Sequence, residues 1–187
     1  SEDADRTVCL VEAGGKDSSP FIGVPGAVGI VLSNKEINWG FQSVPQPHLD
    51  GRRIPVPRGR VLGGSFAING MVYSRGHPSD YDGWAAAGAQ GWSYREVLPY
   101  FRKSEHNESY PDSPFHGHDG PMNVRTVTRP NPLNLAFLES LRGLGFKACE
   151  DFSGADTEGY GLRHLTIRHG RRETTARAFL RPALRRR

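Results

Sequence analysis

Two adjacent glycines, Gly63 and Gly64, followed by Ser65 and the apolar stretch 67–73, constrain this chain more than any other feature. A backbone without Cβ atoms lets a flat or charged ligand lie directly against it. Ser65 stands where a helix N-cap belongs, and 67–73 is apolar enough to form a buried helix. The pattern therefore predicts a helix whose free N–H groups face an anion such as a pyrophosphate. Asn69, one turn in, would hydrogen-bond a heteroaromatic edge or a backbone carbonyl. The glycines alone fit a plain turn into a core helix better, so the surrounding sequence has to decide.

Along the rest of the chain, strand and helix patterns alternate. Residues 7–11 (TVCLV) form a continuous β-branched and apolar run, the pattern of a strand buried on both faces. It ends in Glu12, Ala13, Gly14 and Gly15. An acid at that place is where nucleotide-binding sheets grip a ribose hydroxyl, although a solvated turn residue has the same appearance. The spacing predicts a short broken helix over 21–32, a strand or extended segment over 38–47, and helices over 79–87 and 93–104. Ser93 with Glu96 makes a capping box for the second of these helices, and Pro99 is expected to kink it. A turn at 116–120 and a strand over 121–127 follow. Leu135, Leu138, Leu141 and Leu144 then mark a helix over 131–144. An acid- and glycine-rich loop (150–162), a brief strand (165–168) and a last helix over 174–184, broken near Pro182, complete the chain. No internal repeat is visible. The alternation predicts an α/β, mixed α+β architecture, and 187 residues suit one domain or a piece of a larger one.

The net charge of +4 invites a nucleic-acid partner until the charge is located. Residues 171–187 hold seven arginines and one glutamate, leaving 17 bases against 19 acids in the other 170 residues. The excess is a basic end, read here as solvated, and not a face with polar or aromatic readers between the cations. Cys9 and Cys149 cannot build a disulfide framework, and no Cys-x-x-Cys pair points to zinc. Cys9 reads as a small hydrophobe in a buried strand and Cys149 as a loop thiol. No apolar run of about 18 residues is present, so no transmembrane helix is expected, and with no basic-then-apolar stretch at the start of this sequence no secretory signal is expected within it.

Residues 59–69 (GRVLGGSFAIN), with Tyr73, Gly76 and Asp82 at later fixed places, resemble the first signature of the glucose–methanol–choline (GMC) oxidoreductases. The likeness continues in LVEAGG (10–15), INWGFQSVPQ (37–46), YDGWAAAGAQGWSYREVLPYFRKSE (81–105), HGHDGPMNV (116–124) and GYGLRHLTIRHGRRETTARAFLRPA (159–183). The bacterial choline dehydrogenase-like members are the most similar. The resemblance implies a partial FAD-binding, Rossmann-like domain over 1–120, the start of a substrate-binding domain over 121–165, and a return to the FAD domain over 166–187. It implies FAD as cofactor, with Glu12 on the adenosine ribose, Trp39 near the flavin, Gly63, Gly64 and Ser65 at the phosphates, and Asn69, Gly70, Met71 and Val72 beside the isoalloxazine. Phe66 departs from the pattern, which has Ser or Thr there, and its ring would crowd the pyrophosphate.

The implied reaction is hydride transfer from an alcohol carbon to flavin N5, with choline or another primary alcohol as substrate and oxygen, quinone or a dye as electron acceptor. The family's catalytic base is a His near the C-terminus of a much longer chain, and its first Gly-x-Gly-x-x-Gly strand would stand before Ser1. The sequence is thus expected to be an internal fragment, with no catalytic residue and no metal site of its own, inactive alone. A flavin-carrying hydroxynitrile lyase and an inactive truncated product are the alternatives. His116 and His118 are expected to be structural, His77 to make a loop hydrogen bond, and His164 and His169 to be non-catalytic. A cytoplasmic location, or one peripheral to a membrane, is the family-based expectation.

Overall fold

In a computed structural model of the chain, residue 3 and residues 5–186 are described. They fall into two compact units, one up to Met71 and resuming at Ile167, the other Val72–Thr166. Helices and sheets are both present, as the alternation predicts.

The first unit has a small core of Ile22, Val31, Ile37, Val61, Ala67 and Ile68. Two 3₁₀ turns, Pro20–Gly23 and Pro25–Ala27, lead into α1, Val28–Ser33. This is the broken helix that Pro25 and Gly26 dictate, since each proline removes a backbone donor. Strand β1, Phe41–Gln42, pairs antiparallel with β2, Pro55–Val56.

Two expectations fail here. Residues 7–11 form no strand: Val11 is 87% exposed, Cys9 is exposed, and no segment among the described residues pairs with them. An apolar run becomes a strand only when a neighbour takes its backbone hydrogen bonds. The helix over 67–73 is also absent. The 3₁₀ turn Gly64–Ala67, entered through Gly63 rather than a Ser65 cap, is all that forms. It ends because the Asn69 side chain accepts from Met71 N (3.0 Å) and Met71 adopts φ +62°, a left-handed conformation no helix continues through.

The second unit opens with β3, Val72–Tyr73, and helices α2, Pro78–Ala86, and α3, Tyr94–Ser104. His77 caps α2, its Nδ1 accepting from Ser79 N at 3.2 Å, the loop hydrogen bond its position predicts. The capping box at Ser93 and Glu96 forms, and α3 runs through Pro99 to Ser104. Tyr81 packs edge-on against Trp84 and Phe101, and Tyr94 N donates to Asp82, so the two helices share an aromatic seam.

Strand β4, Glu105–Asn107, follows α3 directly and pairs parallel with β5, Met122–Thr126. Helix α4, Pro132–Gly143, is capped by Asn131, whose side chain accepts from Leu133 N. Strand β6, His164–Leu165, pairs antiparallel with both β5 and β3, giving the sheet order β3-β6-β5-β4. The chain then returns to the first unit through the hairpin of β7, Ile167–Arg168, and β8, Arg171–Arg172. Its two turn residues, His169 and Gly170, both have positive φ, as a tight hairpin twist requires. A π-turn, Ala176–Leu180, and α5, Arg181–Ala183, stand where one last helix is expected. Arg181 pairs with Asp17 at 2.7 Å, binding the two sequence-distant parts of this unit together.

Candidate functional site

In the first unit one segment, 58–62, gathers the residues singled out in the sequence. From one side the Glu12 turn approaches it: Gly15 bridges Val61, and Leu62 N donates to Gly15 O at 2.9 Å. A Cβ on Gly14 would lie 1.9 Å from the Arg60 carbonyl oxygen, so only glycine permits this approach. From the other side come Asn38, which bridges Gly59, and Trp39, whose N donates to Arg58 O at 2.9 Å. The Arg60 guanidinium stands 5.4 Å from the centre of the Trp39 ring, a cation–π distance.

Each candidate side chain has a definite state. Glu12 is half-buried; its Oε1 accepts from Gly14 N at 2.8 Å, and its Oε2 has no partner among the described residues. Trp39 is 45% exposed and stacks on Phe41 with ring centres 5.7 Å apart, so it is not a core tryptophan. Gly63 and Gly64 both have positive φ, and nothing lies within 4 Å of where a Gly64 Cβ would stand. The Ser65 hydroxyl accepts from Gly59 N at 3.1 Å and closes the loop on itself. Phe66 lies half-buried in the 3₁₀ turn. Gly70 is exposed and also open at its Cβ position, whereas Met71 is buried. Val72 begins β3 of the other unit.

These residues fit FAD in chemistry: a carboxylate oxygen left over for a ribose hydroxyl, a bare glycine backbone, and an accessible indole. The phosphate argument from a long helix dipole does not survive, because a four-residue 3₁₀ turn carries no comparable dipole.

The return segment completes the loop. Thr175 Oγ1 donates to Gly63 O at 2.9 Å, and Ala176 packs beside Gly63. Arg172, counted in the sequence as part of a solvated basic end, is fully buried instead. Its Nε donates to Ile22 O at 2.9 Å and its Nη1 to the Asn69 backbone and side-chain oxygens. Strand alternation across the hairpin could have revealed this, since Arg171 faces out and Arg172 faces in.

A second buried polar site lies in the other unit, and sequence reasoning passed over it. Glu105, fully buried at the start of β4, accepts from Arg75 Nη2 at 2.5 Å, from Asn107 Nδ2 at 2.9 Å and from His116 Nδ1 at 3.0 Å. His116 Nε2 reaches Asp151 at 2.9 Å, and Tyr110 stacks over the imidazole at 5.4 Å. Burial alone would push the His116 pKa down, but hydrogen bonds to Asp151 and Glu105 outweigh it and hold the group at about 9. Burial likewise works to raise Glu105 and Asp151, and the His116 contact, helped by Arg75 at Glu105, brings both below the usual carboxylate range.

The 116–120 turn is built for this packing. A Cβ on Gly117 would lie 1.8 Å from Arg102 O, and one on Gly120 would lie 2.4 Å from Glu105 N. His164 is buried against Tyr110, and burial lowers its pKa. Two carboxylates, a guanidinium and an imidazolium here cancel one another. That is the composition of a structural knot, not of a poised acid or base.

Comparison with known proteins places this geometry. The GMC oxidoreductase family matches residues 8–187. An oxygen-dependent choline dehydrogenase from Rhizobium etli is 47% identical over 186 residues, covering 100% of this chain and 34% of that protein. Pyridoxine 4-oxidase from Mesorbium loti superposes with a TM-score of 0.91 at 34% identity, over 98% of this chain and 36% of that one. An FAD-dependent oxidoreductase from Chaetomium thermophilum gives 0.79 at 30% identity, over 93% of this chain and 32% of that one. The chain thus spans about a third of the length of the curated relatives it matches. With a family match over nearly its whole length, the chain belongs to the GMC oxidoreductases.

Proposed function

We propose that this chain is the cofactor-holding part of an FAD-dependent oxidoreductase acting on the CH–OH group of alcohols, with choline or another primary alcohol as substrate. The observation that carries this reading is the convergence of the Glu12 turn, the Trp39 segment and the Gly63–Gly64 loop on one segment, 58–62, within a fold so close to that of pyridoxine 4-oxidase.

FAD, when bound, supplies the electrophilic ring that takes up a hydride. Glu12 would accept hydrogen bonds from a ribose diol through its spare oxygen. Gly64 offers backbone with nothing within 4 Å of its Cβ position, while Ala176 packs against Gly63 and Thr175 fixes the Gly63 carbonyl from behind. Asn69, Gly70 and Met71 set the backbone that would face the flavin, with the turn locked by the Asn69 side chain. Trp39 and Arg60 would form an aromatic and cationic wall. The chain's contribution is binding, orientation and exclusion of water. The proton of the alcohol is not assigned to any residue in it, and the electron acceptor is oxygen, a quinone or a dye.

The test is spectroscopic. In the protein as its gene encodes it, choline or another primary alcohol is expected to bleach the bound flavin without added reductant. A flavin spectrum unmoved by a panel of primary alcohols would count against the oxidoreductase reading.

A further inference from the structure

Arg172 is a fully buried guanidinium, and among the described residues no carboxylate faces it. It is surrounded by carbonyl oxygens: Ile22 O, Asn69 O and Asn69 Oδ1. Its Nη2 is sealed from solvent and makes no hydrogen bond among the described residues. Burial pushes its pKa below the ordinary arginine value with no charged neighbour opposing the effect. Such a cation is costly to keep unpaired, as an uncompensated buried charge carries a penalty of several kcal/mol. Among the described residues, the buried cations of the other unit face acids: Arg75 has Glu105, and His116 has both Glu105 and Asp151.

The contacts of Arg172 lead to one place. The Asn69 Oδ1 that it holds at 2.8 Å also accepts from Met71 N, and Met71 is the non-glycine residue held at φ +62°. The guanidinium therefore fixes the acceptor that fixes the left-handed turn of 69–71, while Nε anchors the assembly to the core at Ile22.

We propose that Arg172 is a positioning residue for the flavin-facing segment 69–71, and that its unpaired charge favours the electron-rich, anionic reduced form of the cofactor over the neutral oxidised form. This rests on the FAD reading above. Arg172 acts through Asn69, because its own nitrogens are closed off. Its charge acts through space, where a low-dielectric interior leaves it little screened.

Arg172→Met, which keeps length and loses charge and donors, and Arg172→Lys, which keeps charge and loses the fork, separate the two effects. Both are made in the protein as its gene encodes it. Amide exchange at Met71 is read by mass spectrometry, and the midpoint potential and dissociation constant of the bound FAD are measured alongside. Loss of a charged hydrogen bond is expected to speed Met71 exchange by about tenfold or more in both variants. The flavin potential is expected to fall in Arg172→Met and to stay near the wild-type value in Arg172→Lys.

Unchanged exchange at 69–71 in a folded variant overturns the positioning role, and a potential equally low in both variants overturns the charge effect. Should Arg172→Met not fold, Arg172→Lys decides alone: faster exchange with the potential retained supports the proposal, and any other result overturns it. A wild type that binds no FAD overturns the functional reading and the electrostatic effect together, while the exchange measurement still decides the clamp.

Discussion

The two units solve the same problem, a buried cation, in opposite ways. In Val72–Thr166 the positive charges of Arg75 and His116 meet the negative charges of Glu105 and Asp151, and nearly every lone pair is used. In the other unit Arg172 is surrounded only by carbonyls and keeps one nitrogen unpartnered. A neutralised cluster is complete in itself and specifies packing; a cation left unbalanced keeps a field that something outside the cluster can use. The first belongs to architecture, and the second lies against the segment the FAD reading assigns to the flavin.

The sharpest way to break the contrast is to make the neutral cluster unbalanced. Glu105→Gln leaves Arg75 without its acid and His116 with Asp151 alone, and is expected to cost the second unit about 3–5 kcal/mol, the usual loss on removing one partner of a buried pair. Urea denaturation followed by amide exchange in β4 and β5 measures it. Protection in the first unit should be unchanged, and a loss below about 1 kcal/mol would mean the cluster is not the knot described.

Proton titration reaches the same cluster more gently. The folded-state pKa of His116, about 9, lies above its ordinary value of 6.5. Its contribution is therefore fully present below pH 6.5 and is lost as the pH rises through 9. At most about 3 kcal/mol of stability should disappear over that window. Glu105 and Asp151, held below their ordinary values, contribute in the opposite sense, with stability present at neutral pH and lost in acid. Denaturation midpoints between pH 6 and 10 check the alkaline limb, which His116→Asn should flatten.

On the unpaired side, Asn69→Ala removes one acceptor of Arg172 and the partner of Met71 N. A cost of about 1–3 kcal/mol to the first unit is expected from one charged hydrogen bond and one neutral one. Exchange in the second unit should stay as it is. Equal losses in both units would erase the distinction between them.

Much of this was legible in the residues. The glycines at 63 and 64, the capping box at Ser93 and Glu96, and the breaks at Pro25 and Gly26 are local signals, and local geometry obeys them. The motif spacing over 59–82 carried the family, because it records long-range packing that periodicity cannot express. Three things were hidden. The run 7–11 reads as a strand because apolarity registers, whereas the presence of a pairing partner does not. The helix over 67–73 gives way to a left-handed turn set by a side-chain bond from Asn69, a competition invisible to an apolarity count. Arg172 vanished into a sum of charges because a sum does not distinguish the inward residue of a strand from its outward neighbour.

The most direct measurement is a titration of FAD into the wild-type protein, as its gene encodes it, and into Glu12→Ala. Saturable binding by the wild type is expected, weakened roughly tenfold or more by loss of the carboxylate acceptor, as for a charged hydrogen bond. The fold should be unaffected, because among the described residues Glu12 makes only the one bond to Gly14 N. Equal dissociation constants for the two proteins, or no binding by the wild type, would contradict the assignment of this surface to the cofactor.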